Sequence, residues 1–239
     1  MTAPGNGSSF ATTRWTMVCA ARDGKDSSAQ VALSELCQAY WRPLYGYVRR
    51  RGASESDAQD LTQSFFAWLL ERQPLASLQP SGGRFRAFLL TCLKNFLNNQ
   101  HDREHALKRG GGVQHLRLDF DQENRAIDPA DTRQPESSFE RQWALCLLEK
   151  VEERLRLEYA DPRKAAWYEA LHPLLAGAES VPQESIAARL GSTSAAVKAA
   201  LHRMRRRFRE LLRDEIAQTV ASSADIDAEI RDLFAALQE

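Results

Sequence analysis

Lys198, His202, Arg205, Arg209 and Arg213 recur at steps of three or four residues, so on a helix they share one cationic face. Val197, Leu201, Met204, Phe208 and Leu211 recur in the same rhythm and form an apolar face elsewhere on the cylinder. Cations so spaced neutralise an extended polyanion. Just upstream, Ile186, Ala187 and Leu190 fit one side of a short helix, and Gly191 follows where a left-handed C-cap lets the chain turn. Ser192, Thr193 and Ser194 then offer an N-cap for the basic helix. From Gln183 to Arg213 the pattern is that of a helix-turn-helix, in which small Ala187 admits Val197 at the crossing. Duplex DNA is the partner this most easily explains; the plain alternative is an amphipathic helix with a solvated arginine face.

A second cationic stretch interleaves amides and aromatics with its charges. Lys94, Asn95, Asn98, Asn99, His101 and Arg103 combine phosphate neutralisation with base-edge hydrogen bonding, a mixture suited to single-stranded or melted DNA. Phe85, Phe88 and Phe96 share the apolar stripe of the same helix and read as core before they read as stacking faces. His101 and His105 stand four apart, superficially like the HExxH zinc motif. Asp102 replaces the glutamate base and no third ligand follows, so no metal is expected. A third strip, Asp57, Asp60, Leu61, Gln63 and Phe65, joins acids, an amide and apolar area and suits a basic partner helix, ordinary solvated acids being the default. There is no phosphate-binding glycine loop and no nucleophile setting, so neither an enzyme nor a cofactor is expected.

These residues need helices to place them. The periodicity is helical nearly throughout the 239 residues, and no region alternates as a set of strands would, so the expected fold is all-α. The formal net charge of zero conceals segregation: residues 84–109 hold six basic against two acidic residues, and 198–213 seven against one. Residues 119–140 hold seven acids against two bases, and 214–239 seven against one. Two basic patches on a neutral chain imply one polyanion touched at two places. Cys19, Cys37, Cys92 and Cys146 form no CxxC pair and read as small hydrophobes in a reducing compartment. No signal sequence or bilayer-length apolar run is found, so a cytoplasmic protein without membrane insertion is expected.

Along the chain, residues 1–27 read as a loose N-terminal arm with a docking segment at Trp15, Met17 and Val18. Leu33, Leu36, Cys37, Tyr40, Leu44, Tyr47 and Val48 give a helix bent at Pro43 and stopped by Gly52. Ser54 and Asp57 form a capping box for a helix that turns Ala58, Leu61, Phe65, Trp68 and Leu69 inward. The Phe85–Leu97 stripe follows, ended by Gly110 to Gly112. Residues 113–136 read as a flexible acidic linker. A second domain, 137–215, carries Phe139, Trp143, Cys146, Leu147, Val151 and Leu155 on one helix and Trp167, Leu171, Leu174 and Leu175 on the next. In the acidic tail, 216–239, Ile226, Ile230, Leu233, Phe234 and Leu237 suit a last amphipathic helix; it packs on the second domain, competes for the basic patch, or is disordered.

Asp57-Ala58-Gln59-Asp60-Leu61-Thr62-Gln63, then Gly83 to Leu89, Lys94-Asn95-Phe96-Leu97, Ala106 to Gly111, and Ala195 to Lys198 with Leu201 to Arg206, resemble in order the extracytoplasmic-function (ECF) type of bacterial RNA polymerase sigma factor. The resemblance covers residues 30–112 and 139–213 and implies a sigma-2-like helical bundle over 28–112 joined by the linker to a sigma-4-like helix-turn-helix domain over 137–215. It further implies that Asp57, Asp60, Leu61, Gln63 and Phe65 grip the polymerase β′ coiled coil. Lys94, Asn95, Asn99 and Arg103 would open the minus-ten element, and Ser194, Lys198, His202, Arg203 and Arg205 would enter the groove of the minus-thirty-five element. Implied partners are core polymerase, including its β flap, promoter DNA and, in some members, an anti-sigma factor. Ser64 replaces a common Glu, Asn99 a common acid, and Ala199-Ala200 a common Ser-Arg pair. The last change removes base readers, leaving specificity to phosphate contacts and DNA shape. The alternative reading is a helix-turn-helix transcriptional regulator that binds duplex DNA as a dimer.

Overall fold

The computed structural model describes residues 14–15, 27–72, 84–107, 134–175 and 182–238, with the side chains of 29, 30, 72 and 101–107 outside the description. The linker expected over 113–136 lies almost wholly outside it, as do Gly110 to Gly112, Cys19, Met17 and Val18. Among the described residues the fold is all-α, without strands. The helices are α1 (Ser27–Gln38), α2 (Trp41–Arg50), α3 (Glu55–Arg72), α4 (Phe85–Leu107), α5 (Pro135–Glu158), α6 (Pro162–Leu171), α7 (Gln183–Arg189), α8 (Ser194–Ala217) and α9 (Ile226–Gln238). They form two compact units: residues 1–146 with 216–239, and residues 147–215, the division passing through α5 and α8.

In the first unit the apolar stripes predicted for α1 to α4 close on one another. Leu33, Leu36, Tyr40, Leu44, Tyr47, Phe65, Leu69, Phe85, Leu89 and Leu93 are buried. Pro43 does not bend one helix; it separates two. With no N–H to donate to Ala39, it removes a helical bond, and the chain turns at Ala39–Tyr40, whose amides reach back only three residues to Leu36 and Cys37. Gly52 (φ +93°) ends α2 as expected. Ser54 caps α3: its Oγ accepts from the Asp57 amide at 3.1 Å and donates to the Asp57 carboxylate at 2.6 Å. Burial raises the Cys37 thiol to about 12 and the Cys92 thiol to about 11, so both stay protonated and inert, as small hydrophobes do.

The N-terminal docking segment and the acidic tail both belong to this unit. Trp15 is fully buried, its ring 5.0 Å from that of Phe85, and its amide donates to the Gln218 carbonyl. The tail forms α9, with Ile226 and Leu233 buried and Phe234 outward, about half exposed. Unexpectedly, Glu229 is buried completely.

The second unit is built on the apolar residues of α5 to α8: Val151, Leu155, Ala170, Leu171, Ile186, Ala187, Val197, Leu201, Met204 and Leu211 are buried. Leu147 and Trp167 are only half-buried. Asp161 caps α6 by accepting from the Arg163 amide at 2.8 Å, with Pro162 at the first helical position.

Candidate nucleic-acid and polymerase surfaces

The turn between α7 and α8 explains how the second unit presents its basic helix. Gly191 adopts φ +58°, and the Ser192 amide returns to the Ala187 carbonyl at 2.9 Å, closing α7. Thr193 then opens α8, its Oγ1 accepting from the Ala196 amide at 3.2 Å. Val197 and the small Ala187 are both buried, as the residues of a close helix crossing must be. Lys198, His202, Arg205 and Arg209 are all exposed, with half-buried Ser194 at the head of the same face.

Not every cation of α8 is free to meet a polyanion. Arg207 is forked against Glu158, with contacts of 2.6–3.0 Å, and also reaches Glu210; those hydrogen bonds raise the basicity of its guanidinium. Arg206 pairs with Glu210 at 2.9 Å. Arg205 donates to the Leu174 carbonyl at 3.0 Å. Lys198, Arg203 and Arg209 make no ion pair among the described residues. Arg203 stands apart from the other expected DNA contacts. Five residues beyond Lys198, it is about 140° around the helix and lines a cavity of about 830 Å3 with Tyr159, Arg163, Lys164, Trp167 and Ala200. Sequence reading missed that cavity because its walls come from three helices.

In the first unit the α3 helix that carries the acidic strip and the amide-rich helix α4 are in contact. The Phe65 ring packs 5.6 Å from Phe96 and 6.0 Å from Trp68, joining α3 to α4. Phe65 has zero exposure, so it supports the α3 surface from beneath and is not part of it; Asp57, Asp60, Leu61 and Gln63 are what that surface shows. Asp57 and Asp60 are exposed. Gln63 Nε2 is buried without a hydrogen-bond partner among the described residues.

On α4, Asn95, Asn98 and Asn99 are exposed, and Lys94 is half-exposed. The Arg103 side chain lies outside the described residues, although the helix backbone runs through it. Lys94 pairs with Glu136 at 2.8 Å, and the Tyr47 hydroxyl donates to the same carboxylate at 3.4 Å. That bond holds the Lys94 ammonium above its ordinary value and the Glu136 carboxyl below its own. Phe85 and Phe96 are buried and Phe88 half-buried, as core residues should be. The cationic patch is smaller than its sequence count suggests. Arg84 and Arg86 are spent on Glu140, Glu229 and Asp232, leaving Lys94 as the remaining cation among the described side chains of α4.

Among the described residues no group of His, Cys, Asp and Glu could hold a metal, and no helix is long and apolar enough to cross a membrane; His101 and His105 fall outside the described side chains. No curated protein and no solved structure matches the chain. Residues 36–106, from the end of α1 nearly through α4, match the family model of sigma-70 region 2, and the match supports a sigma-factor role in promoter recognition and RNA polymerase binding.

Proposed function

We propose that the chain is a sigma factor of the ECF type, which brings core polymerase to promoters and helps open them. The exposed asparagines and Lys94 of α4 would hold the separated non-template strand of the minus-ten element. Ser194, Lys198, His202 and Arg205 would meet the minus-thirty-five duplex, with Arg203 beside them on another face. The observation that carries this reading is the Phe65–Phe96 contact. It joins the helix that carries the acidic surface to the helix that carries the exposed amides, which supports a reading with two partners over a dimeric helix-turn-helix regulator. The α3 surface would take the β′ coiled coil, its two aspartates suiting a basic partner helix; the β flap and an anti-sigma factor belong to the resemblance alone.

Asp60 gives the cleaner test, since Asp57 also closes the α3 cap. Asp60→Ala should weaken capture of core polymerase by about 1 kcal/mol or more while leaving thermal unfolding unchanged. Fork-shaped promoter DNA should be bound only by the polymerase complex. Tight binding of a palindromic duplex by the chain alone, with polymerase ignored, would establish the regulator instead.

A further inference from the structure

The acidic tail is built into the first unit chiefly by contacts at the start of α4. The Phe85 amide, one of the donors that a helix start leaves unsatisfied, is accepted by the Thr219 carbonyl at 3.0 Å, and Arg84 pairs with Val220 in an isolated antiparallel bridge. Arg86 forks onto Glu229 at 2.6 and 3.2 Å, reaches Asp232 at 2.8 Å and contacts Glu140. Its guanidinium lies 4.5 Å over the Trp143 ring, whose Nε1 donates to Tyr40. Arg84 reaches both Glu229 and Asp232, and Arg141 donates to the Leu237 carbonyl. Arg86 is 7% exposed and Glu229 0%. Charges so deep are costly unless paired, and neither can reach a ligand outside. With the tail docked, the network is closed to outside ligands at Arg86 and Glu229. It fixes the base of the helix whose exposed part carries Lys94, Asn95 and Asn99.

We propose that residues 216–238 are a strut for α4: Glu229 and Thr219 are positioning residues that set the attitude of the promoter-opening face without touching promoter DNA. The α4 role rests on the function proposed above; the strut itself does not. The full chain with Glu229→Gln should be compared with wild type by hydrogen exchange and by promoter opening with core polymerase. Exchange over residues 84–90 and over α9 should accelerate together, by about tenfold or more, while residues 194–210 keep their protection. Opening should slow by a similar factor, with polymerase affinity unchanged. A loosened α9 with residues 84–90 still protected would overturn the strut. Opening that is unaltered or faster would overturn the positioning role, faster opening meaning that the tail masks cations after all. If wild type ignores polymerase, the sigma reading fails, and the strut stands or falls on exchange alone. Asp232→Asn, at a half-exposed carboxylate, repeats every arm should Glu229→Gln not fold.

Discussion

Lys94 shows how a single residue can be both available and engaged. Its ammonium sits on the exposed side of α4, yet in the free chain it is held by Glu136 in the first turn of α5. Glu136 is kept ionised by that contact, so the pair is intact above the carboxylate's ordinary range and is lost only as pH falls through the lowered folded value. Both side chains are well exposed, which limits the pair to about 0.2–1 kcal/mol. A phosphate competes with Glu136 for the same ammonium. Glu136→Gln should therefore tighten binding of single-stranded promoter DNA by the polymerase complex, about two- to fourfold at neutral pH, and the gain should shrink for wild type measured in acid. Fluorescence anisotropy with a labelled non-template oligonucleotide reads it directly. Equal affinities would mean that Lys94 does not face the strand. The Ser54 and Thr193 caps were legible from sequence because partner and cap lie three residues apart. Arg86 and Glu229 are separated by 143 residues, and no local pattern announces such a pair.

At the scale of elements, periodicity located the helices and turn chemistry located their ends. It failed where an interruption has a backbone cause: the Pro43 signal was correctly seen, but its effect falls at Ala39–Tyr40, one turn earlier, where the missing donor leaves a carbonyl free. It also failed for α9, whose pattern gave a helix but not the element it would pack against. Two glycines separate local from long-range causes. A Cβ on Gly46 would collide with the Gln142 side chain, a contact invisible in sequence because α2 and α5 lie far apart along it. A Cβ on Gly191 would meet nothing within 4 Å, yet φ +58° strains any replacement that carries a Cβ. Gly191→Ala should thus cost about 1–2 kcal/mol by backbone strain alone, with Gly191→Asn recovering part of it, since Asn tolerates the left-handed region. Urea unfolding followed at Trp167 would resolve the difference. If Gly191→Ala is neutral, the turn before α8 relaxes without it, and the presentation of the basic face does not depend on that left-handed residue.

For the molecule as a whole, zero net charge results from near-cancellation inside each unit, 19 basic against 21 acidic residues in the first and 13 against 11 in the second, rather than from an even mixture. The tail carries acids to the start of α4, and Glu158 and Glu210 quench two arginines of α8, so the count of seven basic residues over 198–213 overstates what DNA can meet. On the exposed face of α8, Lys198, Arg205 and Arg209 remain with their charges unopposed by a carboxylate. Each phosphate neutralised by a cation adds about 0.9 to the slope of log affinity against log salt on duplex DNA. The polymerase complex of a Lys198→Ala, Arg205→Ala, Arg209→Ala variant should therefore show a slope shallower than wild type by about 2–3 on a minus-thirty-five duplex. The same substitutions should leave binding to single-stranded minus-ten DNA unchanged, because those cations lie in the other unit. A further drop of about 1.8 on adding Arg206→Ala and Arg207→Ala would require those two to leave Glu158 and Glu210 for phosphate, making their ion pairs a reserve of charge. No drop at all would place the duplex on another face of α8, and the Arg203 side, with Arg163 and Lys164 around Trp167, would be the face to test next.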